Sequence, residues 1–154
     1  MYELSNLNTG NITVLLNAAL SSIHELVQIK SDKPQIMNAP LLQTDYGVLI
    51  GIIGDLRGRL FILGEASIFA QAGQMMYGME LDGEMLESFV GEFGNSVAGH
   101  TATKMYDQSV KIDITPPTTM QGKVKLGGFS TALSVPFTLN GAKGQLVLAM
   151  EEGQ

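Results

Sequence analysis

Ser88, Glu92, Asn95 and Gly99 follow one another at spacings of four, three and four. On a helix turning about 100° per residue, that spacing aligns them along one ridge. The ridge offers a carboxylate and, one turn on, a carboxamide that is both donor and acceptor. Small residues flank it: Gly91, Ala98 and Ala102 keep the ridge low enough for another macromolecule to approach the helix. On the opposite side Leu86, Phe89, Val90, Phe93, Val97 and Thr101 form a stripe that packs on a core. Gly91, Gly94 and Gly99 all lie in this segment, and each costs about 1 kcal/mol relative to alanine in a helix interior. A helix needing only stability has little use for three. The spacing leaves two readings open. Either Glu92 and Asn95 are the working pair of a site that meets another macromolecule, or they are solvated surface residues and the glycines serve close helix packing inside the protein.

The elements that carry this ridge follow from periodicity. Ile12, Leu15, Leu16, Ala19, Leu20, Ile23, Leu26 and Val27 predict an amphipathic helix over 11–29, capped by Asn8 or Thr9. Pro34 and Pro40 break the pattern, so an irregular or edge strand, not a central one, is expected within 31–45. Two β-rich runs, 46–54 and 59–63, flank Asp55, Leu56, Arg57 and Gly58 and read as a hairpin. A second helix is predicted over 65–77, stopped by Gly78, and the ridge-bearing third from Asp82, its N-cap, to about Tyr106. Strands near 110–115, 129–138 and 144–150 follow, the last two joined across Asn140-Gly141, a hairpin signal. The expected fold is α+β, with helices packed on a largely antiparallel sheet in a single domain spanning 1–154.

Composition narrows the function. With 154 residues, 45% of them hydrophobic and 16% charged, the chain can fill a core. A formal charge of −6 disfavours nucleic acid and anionic membrane surfaces and suits a partner with some basic surface. There is no cysteine, which excludes disulfides, thiolate metal sites and a cysteine nucleophile for phosphate ester hydrolysis. The first ten residues lack a basic and then apolar leader pattern, and apolar runs such as 48–53 fall far short of the ~20 residues a bilayer requires. A soluble, cytoplasmic protein is expected.

Several other features carry less. The 94–101 segment has the outline of a phosphate-binding loop, but His100 stands where lysine is required and the segment lies inside a predicted helix. His24 is far from His100 in sequence, so no ligand cluster suggests zinc, and no bound metal is expected in the isolated protein. The nine methionines read chiefly as core filler. Asp55, Arg57 and Arg59 read as a solvated turn, with contact of the basic pair Arg57 and Arg59 to an acidic regulator as the other reading.

The 91–99 segment, Gly-Glu-Phe-Gly-Asn-Ser-Val-Ala-Gly, resembles the Glu-x-x-Gly-Asn-x-x-Ala-Gly helix of the CheC/CheX/FliY family of chemotaxis phosphatases. Ser88 fits the Asp-or-Ser placed four residues before the glutamate. The 110–118 segment with Pro116 and Pro117, and the 50–60 hairpin, are similar to the corresponding parts of CheX proteins. CheC-type members carry a second Glu-x-x-Asn site on the first helix; here Asn8, Asn11 and Asn17 have no glutamate three positions before them. The resemblance therefore points to the CheX branch. It implies a substrate, the aspartyl phosphate of CheY or a related receiver domain, and a Mg²⁺ ion that belongs to that receiver; the phosphatase brings no cofactor. It further implies that Asn95 orients the attacking water, that Glu92 pairs with the receiver's active-site lysine, that Ser88, Gly91 and Gly99 contact the partner, and that the protein is a homodimer. A neutral amide suffices for such a role because phosphoryl transfer depends on positioning and on stabilising spread charge. A non-catalytic receiver-binding adaptor and a structural module of a signalling or motility assembly are the competing readings.

Overall fold

The structure is a computed structural model that describes residues 9–37 and 41–151. Helix α1 (Thr9–Leu26) is followed by two-residue strands β1 (Lys30–Ser31) and β2 (Gln35–Ile36) and the long strand β3 (Leu41–Gly54). Strand β4 (Gly58–Gly64), helices α2 (Ala66–Tyr77) and α3 (Gly83–Asp107), and strands β5 (Ile112–Ile114), β6 (Thr118–Lys125), β7 (Thr131–Leu139) and β8 (Ala142–Met150) complete the order. The strands form one sheet ordered β1-β7-β8-β4-β3-β5; β2 also pairs with β7, and β6 with β3. Every pairing among the described residues is antiparallel. The expected α+β architecture is what the chain adopts.

The helices cover one face of the sheet. Val48, Ile50 and Ile52 of β3, Leu60 and Ile62 of β4, and Leu146 and Leu148 of β8 meet Phe69 of α2 and Phe89, Phe93 and Val97 of α3 in the main core. A smaller cluster that includes Leu42, Phe61, Leu63, Leu126 and Val147 fills the other face. The turn between β7 and β8 places Asn140 at φ 50° and Gly141 at φ 86°, the double left-handed pair of a tight hairpin. Gly78, at φ 71°, ends α2 and donates its N–H to Gln74 O, a left-handed C-cap. Asp82 occupies the N-cap position of α3 in extended backbone, but its side chain makes no capping hydrogen bond. Of the two caps expected for α1, Asn8 lies outside the described residues and Thr9 is already the first helical residue.

Three expectations need correction. The irregular, edge-like character expected within 31–45 holds for the exposed two-residue strands β1 and β2 and for 41–44, which pairs with β6 alone; what differs is the bound, because this stretch runs on into β3, whose later residues pair with β4 on one side and with β5 and β6 on the other. A bulge between Thr44 and Gly47 breaks the two-residue alternation and hides the strand from a periodicity reading. The bulge aims Asp45 at α2, whose Ala66 N–H donates to the Asp45 carboxylate at 3.1 Å. Strand β6 was not expected at all, because it is mostly exposed and carries no apolar pattern. Finally, Asp55 is not a merely solvated turn residue: its carboxylate accepts from Lys111 N–H at 2.8 Å and fastens the β3–β4 turn to the approach of β5.

Helix α1 packs on α3. The buried Thr101 and Ser22 hydroxyls donate to Val97 O and Ala18 O, each at 2.7 Å, and their oxygens lie 3.3 Å apart across the two helices; Glu25 accepts from Lys104 Nζ at 2.7 Å while lying 3.7 Å from His100 Nδ1. The hydrogen-bonded Lys104 ammonium holds the Glu25 carboxyl below its ordinary value, against a smaller opposing effect of desolvation and with a weaker pull from His100. A carboxyl whose folded pKa lies below its unfolded one stabilises the fold above the unfolded value and loses that contribution as pH falls through the folded value. The pair is solvent-exposed, so the effect is small and screened by salt. Melting temperature measured against pH for Glu25→Gln is expected to fall less steeply than wild type across the acid range below the ordinary glutamate pKa, with the two curves converging at the acid end.

Candidate active site

Helix α3 buries Leu86, Phe89, Val90, Phe93, Val97, Thr101 and Met105, so the apolar stripe faces inward as expected. Phe89 and Phe93 pack with ring centroids 5.7 Å apart, and Phe93 meets Phe69 edge-on at 6.3 Å. With that side held, the helical period leaves Ser88, Glu92 and Asn95 exposed and Gly99 half-buried on the outward ridge. Ala98 departs from the expectation. It is 1% exposed and belongs to the core, so the flanking small residues are Gly91 and Ala102.

The three glycines turn out to serve different ends. At Gly94 a β-carbon would lie 2.5 Å and 2.6 Å from the two Val48 methyls: α3 lies on β3 at a distance that admits no side chain there. At Gly91 a β-carbon would sit 3.4 Å from Thr119 Cγ2, where α3 passes the start of β6. Gly99 has open space above it. Close internal packing therefore explains Gly94, while Gly99 leaves the ridge bare.

Glu92 and Asn95 open onto a cleft of about 360 Å³ whose other lining residues are Ile114, Thr115, Pro116 and Pro117. One wall is α3; the other is the connection between β5 and β6. Neither the Glu92 carboxylate nor the Asn95 carboxamide has a hydrogen bond or ion pair among the described residues. Several carboxylates elsewhere in the fold are committed: Glu25 to Lys104, Asp45 and Asp55 to backbone N–H groups, and Glu65 to Lys143 N–H at 2.8 Å. Ser88 and Gly99 share the ridge but do not line the cleft. His100 turns toward α1 and Glu25. Thr115, which sequence reasoning did not single out, lies in the second wall; its only sequence signal is the adjacent Pro116-Pro117, which interrupts β pairing.

A larger cavity, of about 770 Å³, is lined by residues that include Lys30, Thr44, Asp45, Glu65, Phe137 and Lys143. It shares no residue with the cleft, and the carboxylates of Asp45 and Glu65 are already held by backbone donors. Among the described residues no group of three or more His, Cys, Asp or Glu side chains is placed to hold a metal ion, and no helix is long and apolar enough to cross a membrane.

A family model described as "Chemotaxis phosphatase CheX" matches residues 46–138, more than half of the chain and the whole of the cleft. The chain belongs to the CheX family. Among proteins of this kind, the CheY-P phosphatase CheX of Thermotoga maritima is 29% identical over 135 residues, covering 81% of this chain and 87% of the relative. A chemotactic CheC-like protein of Shewanella oneidensis superposes with a TM-score of 0.80 at 24% identity, over 94% of this chain and 100% of that one. The CheX of a CheX–CheY–BeF₃–Mg²⁺ complex from Borrelia burgdorferi superposes with a TM-score of 0.75 at 25% identity, over 92% and 98% of the two chains. In this CheX-family chain the close approach at Gly94 fixes how far the ridge stands from the sheet.

A methyl at position 94 meets a buried, β-branched valine with no room to withdraw. Overpacking of about 1–3 kcal/mol therefore outweighs the ~1 kcal/mol gained in helix propensity. Urea denaturation is expected to show Gly94→Ala less stable than wild type, by up to about 2 kcal/mol, with Val48→Ala in the same chain recovering part of that loss relative to Val48→Ala alone.

Proposed function

We propose that this chain is a phosphatase that hydrolyses the aspartyl phosphate of CheY or a related receiver domain. Membership of the CheX family supports the reading, as do a relative named for CheY-P phosphatase activity and a related CheX in complex with CheY. The observation that carries it is that Glu92 and Asn95 are exposed, unpaired among the described residues, and share one open cleft. Such groups are available to a partner that supplies the rest of the site.

In this reading Asn95 enters the receiver's active site and holds a water in line with the phosphorus. The water oxygen forms the new P–O bond, the bond to the receiver's aspartate breaks, and the products are inorganic phosphate and a free carboxylate. The amide does not need to be a strong base, because the transition state is loose and responds mainly to positioning. Glu92 pairs with the receiver's lysine; a carboxylate aimed at the water would add repulsion beside the phosphoryl oxygens. Ser88, Gly91 and Gly99 belong to the contact surface on the same helix. The Mg²⁺ ion in this scheme is the receiver's, where it neutralises phosphoryl charge, and this chain contributes only side chains. A homodimer joined through a sheet edge, in the cytoplasm, is part of the same proposal.

The decay of a phosphorylated receiver, followed with and without the protein, tests the reading. Wild type is expected to accelerate decay. Asn95→Ala is expected to lose on the order of 100-fold of that acceleration while still binding the receiver, and Glu92→Ala to weaken binding as well as rate. Binding without any acceleration by wild type would make the protein an adaptor, and an Asn95→Ala variant as active as wild type would remove the water-positioning role.

A further inference from the structure

The cleft that Glu92 and Asn95 share has a second wall, and its construction is specific. Strands β5 and β6 both pair with the same edge of β3, Ile114 opposite Ile52 and Thr118 opposite Leu49. Between these partners β3 has two residues, Ile50 and Gly51, whereas the other side has three, Thr115, Pro116 and Pro117. The extra residue cannot lie flat in the ladder, and the two prolines have no N–H to offer β3. The segment consequently arches off the strand, and it does so facing Glu92 and Asn95 across the cleft.

One residue fastens the arch. Thr115 donates its N–H to Gly51 O at 3.0 Å, and its Oγ1 accepts from Gly51 N–H at 2.8 Å. The same hydroxyl donates to Pro116 O at 3.3 Å. The residue beneath it is a glycine for a visible reason: a β-carbon at Gly51 would come within 2.9 Å of Thr115 Cγ2 and 3.0 Å of Oγ1 and lift the arch away from the strand. Gly51 and Thr115 together set the height of the wall relative to the ridge.

We infer that the Thr115-Pro116-Pro117 arch is the second wall against which the receiver's phosphoryl-bearing loop is seated, and that Thr115 is its positioning residue. The inference rests on the phosphatase reading above. A reactive phosphoryl group presented to one exposed helix ridge is free to approach over a range of angles. A stiff wall opposite Asn95 restricts that range, and in-line attack is sensitive to misplacement of about 1 Å. The arch thus acts on the alignment of bound receiver more than on its affinity, since Glu92 and the remainder of the ridge still supply docking.

The test measures two quantities for each variant: acceleration of phosphorylated-receiver decay at saturating protein, and Kd for the same receiver loaded with beryllofluoride and Mg²⁺. Thr115→Val keeps the shape and removes the hydroxyl; it is expected to lower the saturated rate about 10-fold with Kd within about twofold of wild type, and Thr115→Ser is expected to restore most of the rate. If Thr115→Val fails to fold, Pro116→Ala/Pro117→Ala, on the exposed arch, is expected to lower the saturated rate in the same direction. A wild-type rate in the variant that folds overturns the inference. So does a rate loss matched by an equal rise in Kd, or a Thr115→Ser variant no better than Thr115→Val. If Asn95→Ala is impaired as expected while these variants are not, the arch fails and the phosphatase reading stands. No acceleration by wild type removes both.

Discussion

Helix α3 lies on β3 so closely that Gly94 has only the methyls of Val48 beneath it. Most of the arrangement follows from that approach. Phe89, Phe93 and Val97 can enter the core on one side of the contact only if the helix is rotated so that Glu92 and Asn95 point away from it. On the flank, α1 packs against α3 with Ser22 touching Thr101 and Glu25 paired with Lys104. The ridge is exposed because the opposite side of α3 is packed, and its height is set where position 94 brings no side chain between the helix and Val48.

Strand β3 does more than receive the helix. Its bulge between Thr44 and Gly47 sends Asp45 to the N-terminus of α2, its Val48 meets Gly94, and its Gly51 anchors the arch opposite Asn95. One bulge and two regularly paired residues, within eight residues of chain, thus orient a helix, admit a helix and hold a loop. A bulge of this kind costs ladder hydrogen bonds and persists where it places something.

Several carboxylates are held within the fold: Asp45, Asp55 and Glu65 by backbone N–H donors and Glu25 by Lys104. Others, Glu84 and Glu87 among them, meet no partner among the described residues; Glu92 and Asn95 differ from these in sharing a cleft. Exposed groups without an internal partner are available to a second molecule. The overall charge of −6 favours association with a partner that carries basic surface.

Local pattern was enough to show α3, its apolar stripe and the ridge of Ser88, Glu92, Asn95 and Gly99, because helical period acts on neighbours three and four apart. It was enough also for the Asn140-Gly141 hairpin and the Gly78 stop, whose positive φ values residue type alone announces. What the sequence could not distinguish was the purpose of its glycines, since Gly94 and Gly99 look alike until β3 is placed beneath one of them. Nor could it show β6, an exposed strand without apolar alternation, or that Ala98 is buried in the core. The second wall of the cleft was decided wholly by tertiary structure: Thr115 and Gly51 are 64 residues apart, and only strand pairing, a non-local interaction that no window along the chain contains, sets three residues against two and raises the arch beside Asn95.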